Sequence, residues 1–223
     1  MSLLCAQNVS TARLMAQTAP IVFVVDDDVS VRESIEALLR QDGWQPQIFE
    51  SAQRFLAHPR PAVPSCLILD VNLPDLNGLE LQERIASDRL DMPIIFLTGY
   101  GDVPMSVKAM KAGAAEFLTK PFNDEVLLAA VRGAIARSGE ALLGESARRA
   151  LQVRFESLSN RERDVMTLVV RGLLNKQVGG ELGISEITVK AHRGKVMHKM
   201  AAKSFADLVN MAAKLGMSTG RQA

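Results

Sequence analysis

An α/β domain followed by a small all-α domain is the architecture this sequence predicts, and three observations carry the prediction. Short apolar runs alternate five times with longer amphipathic segments over residues 21–132, only helical patterning follows residue 155, and the charge changes sign between the two parts. Strand and helix alternating in this way imply right-handed crossovers and a parallel sheet covered on both faces.

The strands fall at residues 21–25 (IVFVV), 47–49 (QIF), 66–69 (CLIL), 94–97 (IIFL) and 116–118 (EFL), runs rich in β-branched, aromatic and other apolar side chains. Between them, residues 31–41 set Val31, Ile35, Leu38 and Leu39 on one helical face, and 51–57, 78–87 and 105–112 show the same periodicity. A fifth helix follows from residue 124. Ser30 with Glu33 reads as a capping box for the first helix. Asn123, ahead of Asp124 and Glu125, reads as the cap of the fifth, with charges suited to the helix dipole. Residues 133–152 are helix-prone but carry Gly133, Gly139 and Gly144. Each glycine costs a helix interior about 1 kcal/mol relative to alanine, so a marginal or hinged helix is expected there, acting as an interdomain linker. Four short helices complete the chain, at 160–171, 175–182, 186–200 and 205–215. Ser159 with Glu162 makes a second capping box, Gly172 ends the first of the four, and Ser204 caps the last.

With 223 residues, 48% of them hydrophobic and 23% charged, the composition is that of a globular protein and excludes a disordered or collagen-like chain. No apolar run approaches the roughly 18 to 20 residues of a membrane-spanning helix, so no membrane partner is expected. Residues 1–20 lack the pattern of a secretory signal and are expected to be a disordered leader, with Met15 an alternative start. Cys5 and Cys66 provide neither a disulfide framework nor zinc spacing, and a cytoplasmic location is expected. Residues 21–132 hold ten Lys/Arg against seventeen Asp/Glu, a net of −7, whereas 153–223 hold twelve against six, a net of +6. Only the second part has the charge to meet a polyanion.

In an open parallel sheet, ligands collect beyond the carboxyl ends of the strands. Those positions hold Asp26 and Asp27 after the first strand, Asp70 after the third, Thr98 after the fourth, and Thr119 and Lys120 after the fifth. Any one of these acids can be a simple turn former. Together, clustered carboxylates need a positive partner, and oxygen-only ligands point to a hard divalent ion such as Mg²⁺. An aspartate can also act as a nucleophile that accepts a phosphoryl group, aided by a metal, an opposing cation and a hydroxyl. Asp70, the acidic pair, Lys120 and Thr98 supply that set.

The stretches VVDDD, LILDVNLPDLNG, FLTGYGD and FLTKPF stand in an order and spacing that resemble the receiver domain of bacterial two-component response regulators. The resemblance implies a flavodoxin-like (βα)5 receiver over 21–137, with Asp70 as phosphoacceptor. It implies Asp26, Asp27, Asp70 and the Asn72 backbone carbonyl as ligands of Mg²⁺, for which Mn²⁺ can substitute. Thr98 and Phe117 match the switch residues, and Lys120, whose bond to Pro121 is usually cis in the family, matches the phosphate-binding lysine. Asp28 lies outside this set and is expected to be a solvated neighbour or a residue at the start of the next helix. TGYGDVPMSVKAMKAGAAEFLTKPF resembles the FixJ type, in which Val107 and Lys111 match positions of a phosphorylation-dependent dimer surface. From the residues alone, Val107 on an amphipathic helix would more often be core.

In NKQVGGELGISEITVKAHRGKVMHK, a short helix, a turn at Gly183, a capping Ser185 and a second helix have helix-turn-helix form. Ile187, Val196 and Met200 can face the core, with Lys190, Arg193 and Lys195 on other faces. His192 and His198 have no third ligand nearby and are expected to face DNA or solvent rather than a metal. The block resembles the LuxR/FixJ-type effector domain. That resemblance implies a helical linker at 138–154, a DNA-binding domain at 155–217 and a tail at 218–223. It also places Lys190, Ala191, His192, Arg193, Gly194, Lys195 and Lys199 near DNA, and Leu208, Val209 and Ala212 in effector pairing. Two departures stand out: Gly179 and Gly180 replace typical alanines, which should loosen the helix, and Gly194 replaces a base-reading side chain.

These readings predict a regulator phosphorylated on Asp70 by a cognate histidine kinase, forming a homodimer and binding double-stranded promoter DNA, with RNA polymerase a further expected partner. Its only enzymatic activity would be self-catalysed phosphoryl transfer to Asp70 and slow hydrolysis from it. Two alternatives are a phosphorylation-independent helix-turn-helix regulator and a phosphoaspartyl hydrolase. The second wants an acid two residues beyond Asp70, where this chain has Asn72.

Overall fold

The computed structural model describes residues 19–59, 61–88, 92–99 and 103–217. The expected leader up to residue 18, with Cys5 and Met15, and the tail 218–223 lie outside the described residues. The chain divides into two compact units between Leu143 and Gly144.

In the first unit, β1 (Ile21–Val25), β2 (Gln45–Phe49), β3 (Ser65–Asp70), β4 (Ile94–Thr98) and β5 (Glu116–Thr119) form a parallel sheet in the order β2-β1-β3-β4-β5. Helices α1 (Val29–Gln41), α2 (Ala52–Ala57), α3 (Gly78–Asp88), α4 (Val103–Lys111) and α5 (Asp124–Glu156) connect and follow the strands. Successive residues of a strand point to opposite faces, and both faces here are covered, which is why β1, β3 and β4 read as continuous apolar runs. Phe23, Val25, Leu67, Leu69 and Phe96 pack on one side with Phe55, Leu81 and Ala109. Val22, Val24, Cys66, Ile68, Ile95 and Leu97 pack on the other with Ile35, Leu39, Leu127 and Val131. Burial of Cys66 pushes its thiol up to about 12, leaving it an inert core group.

One local expectation is corrected, and the helix-prone linker segment is found helical. The cap of α1 is Asp28, whose Oδ1 accepts hydrogen bonds from the N–H groups of Ser30 (2.8 Å) and Val31 (3.4 Å). Ser30 therefore already lies inside the helix and does not form the box with Glu33, because a short aspartate side chain two residues upstream satisfies the free amides first. Asp28 is thus a residue at the start of a helix, as one of its two expected roles required. The glycine-bearing segment is likewise a continuous part of α5, with Gly133, Gly139 and Gly144 all within it. Tertiary burial overrides the propensity penalty: Ala134, Ile135 and Leu142 are core residues, and the buried Ser138 Oγ accepts a hydrogen bond from the Ser65 N–H at 3.0 Å.

The second unit is helical. The end of α5 is followed by α6 (Asn160–Val170), α7 (Asn175–Leu182), α8 (Glu186–Met200) and α9 (Phe205–Lys214). The Ser159–Glu162 capping box forms, Ser185 and Ser204 cap α8 and α9, and Gly183 takes the left-handed conformation (φ 65°) in the α7–α8 turn. Leu151, Val165, Val169, Val178, Val189, Val196, Met200 and Leu208 make its core. Ile187 is not among them: it is 80% exposed, and Val189 takes the inward place. Val196 lies nine residues from Ile187, about half a turn out of phase, whereas seven residues from Val189 return to the same face.

Gly179 and Gly180 differ in kind. A Cβ at Gly179 would lie 2.7 Å from the Ile184 carbonyl oxygen, whereas at Gly180 it would meet nothing. Gly179 is therefore required by the close helix-to-turn approach and is not a loosening substitution. Gly180→Ala is expected to raise the stability of this unit by up to about 1 kcal/mol, and Gly179→Ala to lower it, as read by denaturant unfolding of the full chain followed by circular dichroism.

Candidate functional site

The strand order reverses between β1 and β3, and this is where the sheet opens a crevice at its carboxyl edge. Asp26 follows β1 and Asp70 ends β3, both nearly fully buried, and Asp27 beside them is exposed. Carboxylate oxygens of the three lie within 4.8 Å of one another. Lys120, just past β5, bridges two of them: its Nζ is 2.6 Å from Asp26 Oδ2 and 2.5 Å from Asp70 Oδ2. The remaining oxygens are also oriented. Asp26 Oδ1 accepts from the Asp28 N–H at 3.0 Å and Asp70 Oδ1 from the Asn72 N–H at 2.9 Å.

Burial raises the Asp26 carboxyl above its ordinary range, and the Lys120 hydrogen bond offsets this only in part. Burial also works against the Lys120 charge, but the hydrogen bonds to Asp26 and Asp70 outweigh it and hold the ammonium above its usual range. Three carboxylates against one ammonium leave a net −2, with no ion pair of Asp27 among the described residues. That donor set, all oxygen, doubly negative and open to solvent at Asp27, fits a hard divalent cation.

Thr98 ends β4 fully buried, and its carbonyl accepts the Lys120 N–H at 2.7 Å. Phe117 on β5 is half-buried, its ring 6.2 Å from that of Phe96. The Lys120–Pro121 bond is cis. Gly78 was not singled out by its sequence context: a Cβ there would lie 2.6 Å from the Asp70 carbonyl oxygen. The first residue of α3 thus supports the backbone of Asp70, and the only signal of it was a glycine closing the LPDLNG stretch. On α4, Val103, Val107 and Met110 form an exposed apolar stripe at helical spacing beside exposed Lys111, so Val107 is not a core residue.

In the second unit, α8 separates the residues expected near DNA into two groups. Lys190, Ala191, Gly194 and Lys195 are exposed. Arg193 is engaged within the domain, donating to Asn175 Oδ1 at 3.2 Å and lying 4.7 Å from the centroid of the Phe205 ring. Lys199 is also engaged, its Nζ 2.6 Å from Glu162 Oε2 and 3.2 Å from the Ser157 carbonyl. His192 is half-buried and His198 exposed. The Glu162–Lys199 pair spans α6 and α8 and has no local sequence signature beyond the capping box.

Residues 22–132 match the family model for the response regulator receiver domain, and residues 156–212 match that for bacterial regulatory proteins of the LuxR family. Nodulation protein W of Bradyrhizobium diazoefficiens is 50% identical over 203 residues, covering 91% of this chain and 89% of that protein. The transcriptional regulatory protein FixJ of Azorhizobium caulinodans is 43% identical over 204 residues, covering 92% and 96% of the two chains. The chain belongs to the FixJ-type response regulators. Among solved structures, the response regulator StyR is similar with a TM-score of 0.79 and 46% identity, over 88% of this chain and all of that one. A FixJ-type response regulator is a phosphorylation-controlled transcriptional regulator, and this one pairs a receiver with a LuxR-type DNA-binding domain. None of its described helices is long and apolar enough to cross a membrane.

In this regulator the hydrogen bond from Lys199, with that from the Ser159 backbone, holds the buried Glu162 carboxyl below its usual value of 4.5. A depressed carboxylate adds stability that is complete above its unfolded value and is lost as pH falls through the folded one. The DNA-binding domain should therefore lose this contribution below pH 4.5. Glu162→Gln should cost roughly 2 kcal/mol near neutrality and flatten the acid dependence, as calorimetric scans on either side of that pH would read.

Proposed function

We propose that Asp70 is the phosphoacceptor, receiving its phosphoryl group from a cognate histidine kinase, and that Asp26, Asp27, Asp70 and the Asn72 carbonyl hold Mg²⁺, with Mn²⁺ able to substitute. When bound, the cation supplies neutralisation of charge on the phosphoryl oxygens. The bond from the kinase's histidine nitrogen to phosphorus breaks as a new one forms from an Asp70 oxygen, leaving the imidazole on the kinase. Lys120 passes from Asp70 to the new phosphate oxygens, for its ammonium is already within hydrogen-bond reach of the reacting carboxylate. Thr98 follows the new charge and Phe117 turns inward, shifting the population of the face that carries Val107 and Lys111 towards homodimers. Slow attack of water on the phosphorus later returns Asp70 and inorganic phosphate; this hydrolysis and the transfer to Asp70, both self-catalysed, are the only enzymatic steps.

The proposed domains are a receiver at 21–137, a helical linker at 138–154 and a DNA-binding domain at 155–217. Paired effector domains meet two half-sites of promoter DNA in the cytoplasm, with RNA polymerase a further partner. On α8, Lys190 and Lys195 meet phosphates beside Ala191 and Gly194, with His192 at the edge of this face; Arg193 and Lys199 hold the helix in place. The observation that carries the reading is the Lys120 bridge between Asp26 and Asp70 beside Asp27, which has no ion pair among the described residues. Mobility-shift titration with and without a stable phosphate mimic tests it. A mimic that leaves promoter affinity and oligomeric state unchanged would favour a phosphorylation-independent regulator.

A further inference from the structure

We propose that Ile187 is a specificity-determining residue that reads the C5-methyl group of a thymine in the major groove. The inference rests on the DNA-binding reading above and deepens it. Ile187 is the second residue of α8 and, at 80% exposure, the most exposed large apolar side chain among the described residues. At about 100° per residue, Ile187, Ala191, Gly194 and His198 share one narrow stripe, with Lys190 and Lys195 on either side of it. All six are exposed.

This arrangement has a chemical meaning. Flanking cations suit the phosphate walls of a groove, and charge complementarity makes double-stranded DNA the occupant in preference to an apolar protein surface. The first three positions of the central stripe carry no amide, guanidinium or carboxylate, so they cannot form the paired hydrogen bonds by which bases are usually told apart. The only apolar group in the major-groove pattern is the thymine methyl. Residues near the start of a recognition helix are those that reach base edges, and Ile187 is one of them. Gly194 assists, since a Cβ there would meet nothing in the protein and its absence lets the helix approach the groove floor. Lys190 lies 3.3 Å from Glu186 Oε1, which keeps its chain to one side of Ile187.

The test uses the full chain carrying a stable phosphate mimic. A preferred site is selected from random duplexes, and each thymine is then replaced singly by deoxyuridine, which lacks only the methyl group. For the unsubstituted protein, one thymine position in each half-site should lose affinity by about three- to tenfold on this replacement, the effect of uncovering one methyl contact. Ile187→Ala should bind the parent site more weakly by a similar factor and be indifferent to deoxyuridine at that position. Lys190→Ala should remain sensitive to it and show a shallower salt dependence. Ile187 packs against nothing in the core, so Ile187→Ala should keep its circular dichroism spectrum and melting temperature. Selection of a site in which no thymine depends on its methyl, or in which Ile187→Ala keeps that dependence, overturns the inference and leaves DNA binding intact. Failure to select any site overturns the DNA-binding reading and this inference with it.

Discussion

Asp70→Asn is expected to take up no label from radiolabelled acetyl phosphate and to show no gain in promoter affinity when the phosphoryl donor is added. Asparagine keeps the shape of the side chain, and its one oxygen can still accept from either the Asn72 N–H or the Lys120 ammonium, which the carboxylate serves with separate oxygens, while Asp26 keeps its own bond to Lys120, so the fold should survive. What it removes is the anionic oxygen that forms the bond to phosphorus. The two measurements divide the outcomes. Label uptake on Asp70→Asn would mean that another carboxylate is the acceptor. Unlabelled protein whose DNA binding still responds to the donor as strongly as wild type would separate phosphorylation from regulation altogether. Asp27→Asn should behave differently, weakening Mg²⁺ binding and slowing labelling, since it reduces the net −2 of the cluster without touching the nucleophile.

Lys120→Ala is expected to destabilise the receiver by about 3 kcal/mol in the absence of divalent cations, because it leaves two buried carboxylates facing each other with no counter-charge. The chain has one tryptophan, Trp44, packed against the sheet in this unit, so fluorescence during urea unfolding follows the receiver alone. Added Mg²⁺ should recover much of the loss in Lys120→Ala and less in wild type, where the ammonium already supplies part of the compensation. Equal metal responses in the two proteins would show that the three carboxylates do not share a cation. The same variant should lose phosphate-dependent DNA binding even where Asp70 is labelled, since nothing then draws the phosphoryl group towards β5.

Much of the molecule was legible before any coordinates because the signals are short in range. Short continuous apolar runs against a 3.6-residue period separate strands from helices, and all five strand ends were found within two residues, including Asp26, Asp70, Thr98 and Lys120. The Ser159–Glu162 box, the Gly183 turn and the Ser204 cap were equally plain, each being decided by the chemistry of a few adjacent residues. The misreadings share a different cause. The cap was read at Ser30, and the backbone path places it at Asp28. Ile187 was read as facing the core together with Val196, although nine residues set the two on opposite sides of α8; Val189 takes the inward place.

Periodicity, turn chemistry and the residues at strand ends were therefore enough to predict the two-part architecture and the carboxylates at one edge of the sheet, since each depends on local covalent geometry, and the family resemblance rested on four motifs in order and spacing. The packed structure was needed for everything that depends on a distant neighbour. It packed the glycine-bearing segment around Gly133 and Gly139 through Ala134, Ile135 and Ser138. It made Gly78 and Gly179 obligatory, because a Cβ there would lie 2.6 and 2.7 Å from a backbone carbonyl oxygen. It drew Arg193 and Lys199 into contacts within their domain and left Ile187 facing outward. A side chain's type is written in the chain, but whether it is buried, paired or free is set by which surfaces the fold brings against it.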